Sequence, residues 1–174
     1  MMRWPLPNVI ERVVVNTGPL ITLGRADALA VIKQLPIRFI APPQVAEEIN
    51  AGAAAGHPVV LPTWVEVMAL AVPLAPLACQ ALDAGEAAVI QLALEQGIQA
   101  VCIDEWRGRR AAKAVGLRVT GSLGLLGRAK QTGLIPAVRP WVEHLAAAGA
   151  HYDPELLQGF LQAMGESPVN NSNS

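Results

Sequence analysis

The sequence predicts an α/β sandwich built on a mainly parallel sheet of about five strands, and three observations predict it. Short β-branched or apolar runs alternate with longer stretches of helical periodicity, and no long run of strands stands alone. Glycine or proline closes most of the helical stretches. Polar residues follow directly after strand-like runs, where an open parallel sheet presents functional groups at the carboxyl ends of its strands.

Taken in order, Met1 to Asn8 reads as a loose lead-in, and the β-branched run Arg12 to Val15 as a central strand that ends at Asn16-Thr17-Gly18-Pro19. Pro19 suits a first helical turn with Thr17 or Gly18 as cap, and the helix is expected to run to Leu35, before Pro36. Ile37 to Ala41 is a second strand. Pro42 and Pro43 open a helix over Gln44 to Asn50, which Gly52 should end, and Ala51 to Pro58 is a small-residue loop. Trp64 to Leu70 reads as an edge strand or hairpin arm, followed by a Pro-rich connector to Pro76. A helix then opens near Glu86 and stops at Gly97, with its acid in the first turn, where the helix dipole favours it. Ala100 to Ile103 is a buried strand, Arg107 to Val115 a helix and Leu117 to Thr120 a last strand. Ser122 is expected to cap a helix reaching Thr132, and Pro136 to Ala148 and Pro154 to Met164 are helices.

Composition narrows the function classes. With 174 residues, 52% of them hydrophobic and 16% charged, the chain fits one domain over residues 1–166 with a disordered polar tail over 167–174. A net charge of −1 gives no global attraction to nucleic acid, so such binding needs a local basic patch. Cys79 and Cys102 form no C-x-x-C, no disulfide framework is indicated, and Cys102 is expected as a small buried hydrophobe. No signal-peptide pattern opens the chain, and Pro73 and Pro76 interrupt its long apolar tract, so a cytoplasmic location without membrane contact is expected. His57, His144 and His151 have no zinc spacing with either cysteine, there is no G-x-S-x-G, and Gly121, Gly124 and Gly127 fall within a predicted helix rather than a phosphate loop. A receiver-like phospho-acceptor would need an acidic pair after the first strand, where Asn16 stands.

The informative stretch is DAGEAAVIQLALEQGIQAVCIDEWRGRRAAK, residues 83–113, which gathers carboxylates and a basic run around one helix and one strand. Together with VVVNTGPLITLGRADAL, APPQVAEEI and GLRVTGSLGLLGRAKQTGLI in that order, it resembles the PIN-domain nucleases, and more closely a branch of uncharacterised bacterial and archaeal PIN-like proteins of the DUF3368 type. The resemblance covers about residues 10 to 165. It implies a three-layer α/β/α sandwich, a Mg2+ or Mn2+ cofactor, and a metal-dependent ribonuclease that cleaves RNA phosphodiesters, as the toxin of a toxin–antitoxin pair with an antitoxin partner. Carried over residue by residue, the family quartet falls on Asn16, Glu48, Glu86 and Asp104, with Glu48, Glu86 and Asp104 catalytic; Glu105 is an additional candidate.

Hard divalent cations take oxygen ligands, keep several waters and activate a water for in-line attack on a phosphodiester, which is why carboxylates from separate elements point to that chemistry. Asn16 stands where the family has aspartate; its carbonyl oxygen can ligate, but it is neutral and cannot act as a base. Each residue also has a plainer reading: Glu48 as a solvated helix charge, Glu86 as a helix-start charge, Asp104 as cap of the helix beginning near Trp106, and Asn16 as a turn residue. Arg107, Arg110 and Lys113 on one helix, with Trp106 available for stacking, form the candidate RNA contact or else a solvated charged face. The alternative function is a catalytically weakened PIN-like domain that binds RNA or a protein partner. An aromatic-rich C-terminal set around Trp141, Tyr152, Leu156 and Phe160 leads to the expectation of a homodimer.

Overall fold

The computed structural model describes residues 10–167, so the expected lead-in Met1 to Asn8 and the tail from residue 168 lie outside the described residues. Five strands, β1 (Glu11–Val15), β2 (Ile37–Ala41), β3 (Glu66–Val67), β4 (Ala100–Cys102) and β5 (Arg118–Thr120), form one parallel sheet in the order β3-β2-β1-β4-β5. In register, Val13 lies beside Phe39 on one neighbour and Ala100 on the other. Central strands of a sheet covered on both sides are apolar on both faces, and Val13, Val14, Val101 and Cys102 are wholly buried.

The helices are α1 (Thr17–Arg25), α2 (Leu29–Ile32), α3 (Pro43–Ala54), α4 (Ala78–Ala81), α5 (Ala84–Glu95), α6 (Trp106–Ala114), α7 (Ser122–Gln131), α8 (Arg139–Ala147) and α9 (Pro154–Ala163). The chain steps outward from β1 to β3 and then returns to β4 on the far side of β1. Right-handed crossovers in opposite directions put the connecting helices on opposite faces. Accordingly α5 and α6 pack together on one side, and α1, α2 and α7 on the other.

Several element boundaries differ from the sequence expectation. The first helix is two, broken at Asp27, whose φ of 55° lies in the left-handed region that aspartate tolerates better than most residues. Helix α3 runs through Gly52 to Ala54, because the surrounding alanines outweigh one glycine, and the chain leaves it at Gly56 with φ 90°. Strand β3 has only two residues and pairs parallel to β2, so it is no hairpin arm. A single helical turn, α4, interrupts the Pro-rich connector. Helix α8 starts at Arg139 rather than Pro136.

The C-terminal apolar set covers the core. Leu145 and Leu161 are fully buried, and Trp141, Tyr152, Leu157 and Phe160 pack against the core. Leu156 is left 53% exposed. No described helix is long and apolar enough to cross a membrane.

Candidate functional site

Strands β1 and β4 are neighbours at the point where the direction of the crossovers reverses, and the crevice outside their carboxyl ends is where open α/β sheets bind ligands. Asn16 follows β1 directly. Its backbone N–H donates to the Cys102 carbonyl at 2.9 Å, which extends the ladder by one step and fixes the residue at the crevice. The side chain is 4% exposed, and its Oδ1 is buried without a hydrogen-bond partner. Asn16 is the N-cap of α1, in place of the expected Thr17 or Gly18, yet its side chain makes no capping bond. That leaves a buried acceptor facing no protein donor.

The neighbouring acids are each held by a donor. Thr17 Oγ1 donates to the Glu48 carboxylate, joining the start of α1 to α3. A Cβ on Gly85 would lie 2.6 Å from Glu48 Oε1, so the glycine leaves the space that this carboxylate fills. Glu86, 4% exposed, forms a capping box at the start of α5: Asp83 Oδ1 accepts from the Glu86 N–H at 2.7 Å, and Glu86 Oε2 accepts from the Asp83 N–H at 3.3 Å. Burial, then the charges of Asp83 and Glu105, push the Glu86 carboxyl above its ordinary value, against backbone N–H donors at Asp83 and Gly108. Gly108 is a second cradle, since a Cβ there would meet Glu86 Oε1 at 2.7 Å.

Asp104 is not the cap of α6, whose N-cap is Glu105. Its Oδ1 accepts the Ser122 N–H at 2.8 Å and its Oδ2 the Ser122 hydroxyl at 2.6 Å, so it closes the start of α7 from the adjacent strand. Ser122 is therefore the first residue of that helix and not its cap, which is Gly121. A carboxylate has about four acceptor positions, so two stay open on Asp104. Glu105 turns the other way: its Oε2 lies 3.2 Å from where a Gly18 Cβ would be, and its charge acts on Glu86.

Glu48 is thus tied to Thr17, the residue after Asn16, and lies against Gly85, the residue before Glu86. Asp104 stands at the end of the next strand, aimed at Ser122. Among the described residues no three His, Cys, Asp or Glu side chains gather into a metal-holding group. The roles of Thr17, Asp83, Gly85 and Gly108 went unread in the sequence, although the D-A-G-E capping box was a legible signal.

On α6, Trp106 is 65% exposed, and Arg107, Arg110 and Lys113 are exposed and outside the ion pairs of the described residues. Arg109 differs. Its guanidinium donates to the carbonyls of Ile103 at 2.8 Å and Thr120 at 3.1 Å, tying together the chain beyond β4 and the end of β5. A cleft of about 490 Å3 lies between Glu86 and the start of this helix, with Gln80, Leu82, Asp83, Glu86, Glu105, Trp106 and Arg107 in its walls. A second cavity, about 330 Å3, lies on the other side of Asp104 against Arg109, Gly121, Leu156 and Phe160. Next to Asp104, burial and that carboxylate's charge push the Tyr152 hydroxyl up to about 12, opposed by its hydrogen bond with Ser122.

Compared with known families, the chain matches the model described as DUF3368, PIN domain, over residues 12–166. Neither the curated proteins nor the solved structures yield a match.

Proposed function

Since the chain belongs to this PIN-domain family, we propose that it is a metal-dependent ribonuclease cleaving RNA phosphodiesters at the crevice between β1 and β4. The observation that carries the reading is the contrast within the crevice. Each acid is oriented by a protein donor, Glu48 by Thr17, Glu86 by backbone N–H groups and Asp104 by Ser122, while the buried Asn16 Oδ1 has no partner. Ligating carboxylates are commonly held in this way by outer hydrogen bonds, and an orphaned carbonyl oxygen suits a hard cation.

The donor set fits Mg2+ or Mn2+ bound through one or two carboxylates and its own waters, rather than a closed cage of three acids. Of the candidates Asn16, Glu48, Glu86 and Asp104, one or two carboxylates with the Asn16 carbonyl would touch the ion and the others would act through its waters, as would Glu105 from its position near Gly18 and Glu86. When bound, such an ion supplies a polarised phosphate and an activated water. The protein's own contribution is orientation: Ser122 fixes Asp104, the Asp83 box fixes Glu86, and the exposed Arg107, Arg110 and Lys113 offer cations to the RNA backbone beside them. Asn16 is neutral, which lowers the charge of the site and leaves proton transfer to the carboxylates.

The test is cleavage of single-stranded RNA with manganese by the wild type and by Glu86→Gln. Cleavage that needs both manganese and Glu86 is expected; RNA binding without cleavage would favour the weakened domain that only binds RNA or a protein. A homodimer and a toxin role with an antitoxin partner extend the same reading, supported by the family resemblance. The apolar C-terminal set proposed for the dimer is largely spent on the core.

A further inference from the structure

We propose that the cleft between α4 and α6 is a nucleoside subsite of the acidic crevice, with Trp106 as the platform for a base and Gln80 as the group that reads its edge. The inference rests on the ribonuclease reading and adds where the substrate's base sits. At about 490 Å3 the cleft falls within the size range of small-molecule sites, roughly 300–1,000 Å3. Its walls differ in character. Trp106 and Leu82 offer apolar surface, Gln80 a neutral amide and Arg107 a cation, and Asp83, Glu86 and Glu105 are its acids, of which Glu86 is shared with the candidate site.

The exposure of Trp106 has no folding explanation. Trp64 packs edge-on against Phe39, and Trp141 against His144, both partly buried on the core, whereas Trp106 stands 65% exposed at the first position of α6 with no ring partner among the described residues. An indole so placed beside a cleft is a sequence-tolerant surface for stacking a single-stranded base. Gln80 is exposed on α4, and its side chain makes no hydrogen bond among the described residues, while the Gln34 and Gln91 amides both donate to backbone carbonyls. A free amide offers one donor and one acceptor side by side, the pattern that pairs bidentately with adenine. Arg107 follows Trp106 and lines the same cleft, so a base on the indole brings its phosphate between a guanidinium and the acids. The negative charge of Asp83, Glu86 and Glu105 opposes that phosphate, so nucleotide binding should strengthen when magnesium is present.

The four nucleoside 5′-monophosphates test this without any cleavage, by calorimetry on the whole protein with and without magnesium. Adenosine monophosphate should bind most tightly, Trp106→Ala should weaken it about tenfold, and Trp106→Phe should restore most of the loss. Gln80→Ala should level the four nucleotides. Melting curves establish that each variant is folded. Binding that depends on Trp106 but is indifferent to magnesium would uphold the subsite and contradict the metal reading. Nucleotides that do not bind, or that bind Trp106→Ala as well as the wild type, would overturn the subsite whatever magnesium does.

Discussion

At the scale of single residues, Glu86 and Asp104 are acids of opposite consequence for stability. Glu86 is buried beside the charges of Asp83 and Glu105, so its ionised form is disfavoured in the metal-free fold. Glu86→Gln should therefore raise Tm at neutral pH by a few degrees while abolishing manganese binding, the pattern expected where function is held at a cost in stability. Repulsion from Asp104 is not among the causes acting on Glu86, so no such relief is expected there. Asp104→Ala should lower Tm, because the Ser122 N–H at the start of α7 loses its acceptor, a change of about 1 kcal/mol by analogy with helix caps. A rise in Tm for Asp104→Ala would contradict the structural role. A separate readout uses the chain's single tyrosine. Asp104→Asn removes a charge that disfavours the Tyr152 phenolate, so the ultraviolet titration should shift down from about 12; an unchanged titration would show that the two groups do not interact. At Asn16, Asn16→Asp adds an anionic ligand and should tighten manganese. No gain would place that side chain outside the metal's reach.

At the scale of elements, the last described residues fasten the helical layer. Glu166 accepts from Lys130 at 2.6 Å on α7 and from the backbone N–H groups of Val138 at 2.7 Å and Arg139 at 3.0 Å, at the start of α8. Burial alone would raise its carboxyl, but Lys130 and the two N–H groups hold it below the ordinary 4.5. A depressed folded value means stability that is present above the unfolded value and is lost as pH falls through the folded one. Glu166→Gln should thus lower Tm at neutral pH, and its difference from wild type should shrink below about pH 4.5; a difference constant with pH would rule out the charged tie. Much at this scale was legible in the sequence. The strands at Ile37–Ala41 and Ala100–Cys102, and α5 between its acidic start and Gly97, follow from apolar runs and breakers that act locally. The break at Asp27 and the persistence of α3 through Gly52 did not, because each turns on a small difference between opposing local preferences, aspartate's tolerance of a positive φ in one and alanine against glycine in the other. The site follows the same division. Glu48, Glu86 and Asp104 are candidates that the sequence names, whereas the grip of Ser122 on Asp104 and of Thr17 on Glu48 joins positions distant in sequence, which no local pattern encodes.

At the scale of the whole molecule, the reversal of the sheet at β1 and β4 gathers parts that the chain keeps far apart. It sets Asn16 beyond β1 and Asp104 beyond β4, and the first turns of α1, α5 and α6 approach one another there through Gly18, Gly85 and Gly108. With a net charge of −1, long-range attraction to RNA is weak, so the RNA binding proposed for this chain would be local and led by α6. Arg107→Ala combined with Arg110→Ala should weaken RNA binding and flatten its salt dependence, as expected when two phosphate contacts are removed. An unchanged salt slope would leave α6 as a solvated face. Light scattering reads the oligomer directly, and a dimer mass at micromolar protein is the outcome that the family resemblance implies. The metal is the claim on which the functional reading depends. Calorimetric titration of the whole protein with manganese tests it most directly: saturable binding in the millimolar range or tighter, with a rise in Tm, lost in Glu86→Gln, is predicted, and neither heat nor a Tm shift in the wild type at millimolar manganese would contradict it.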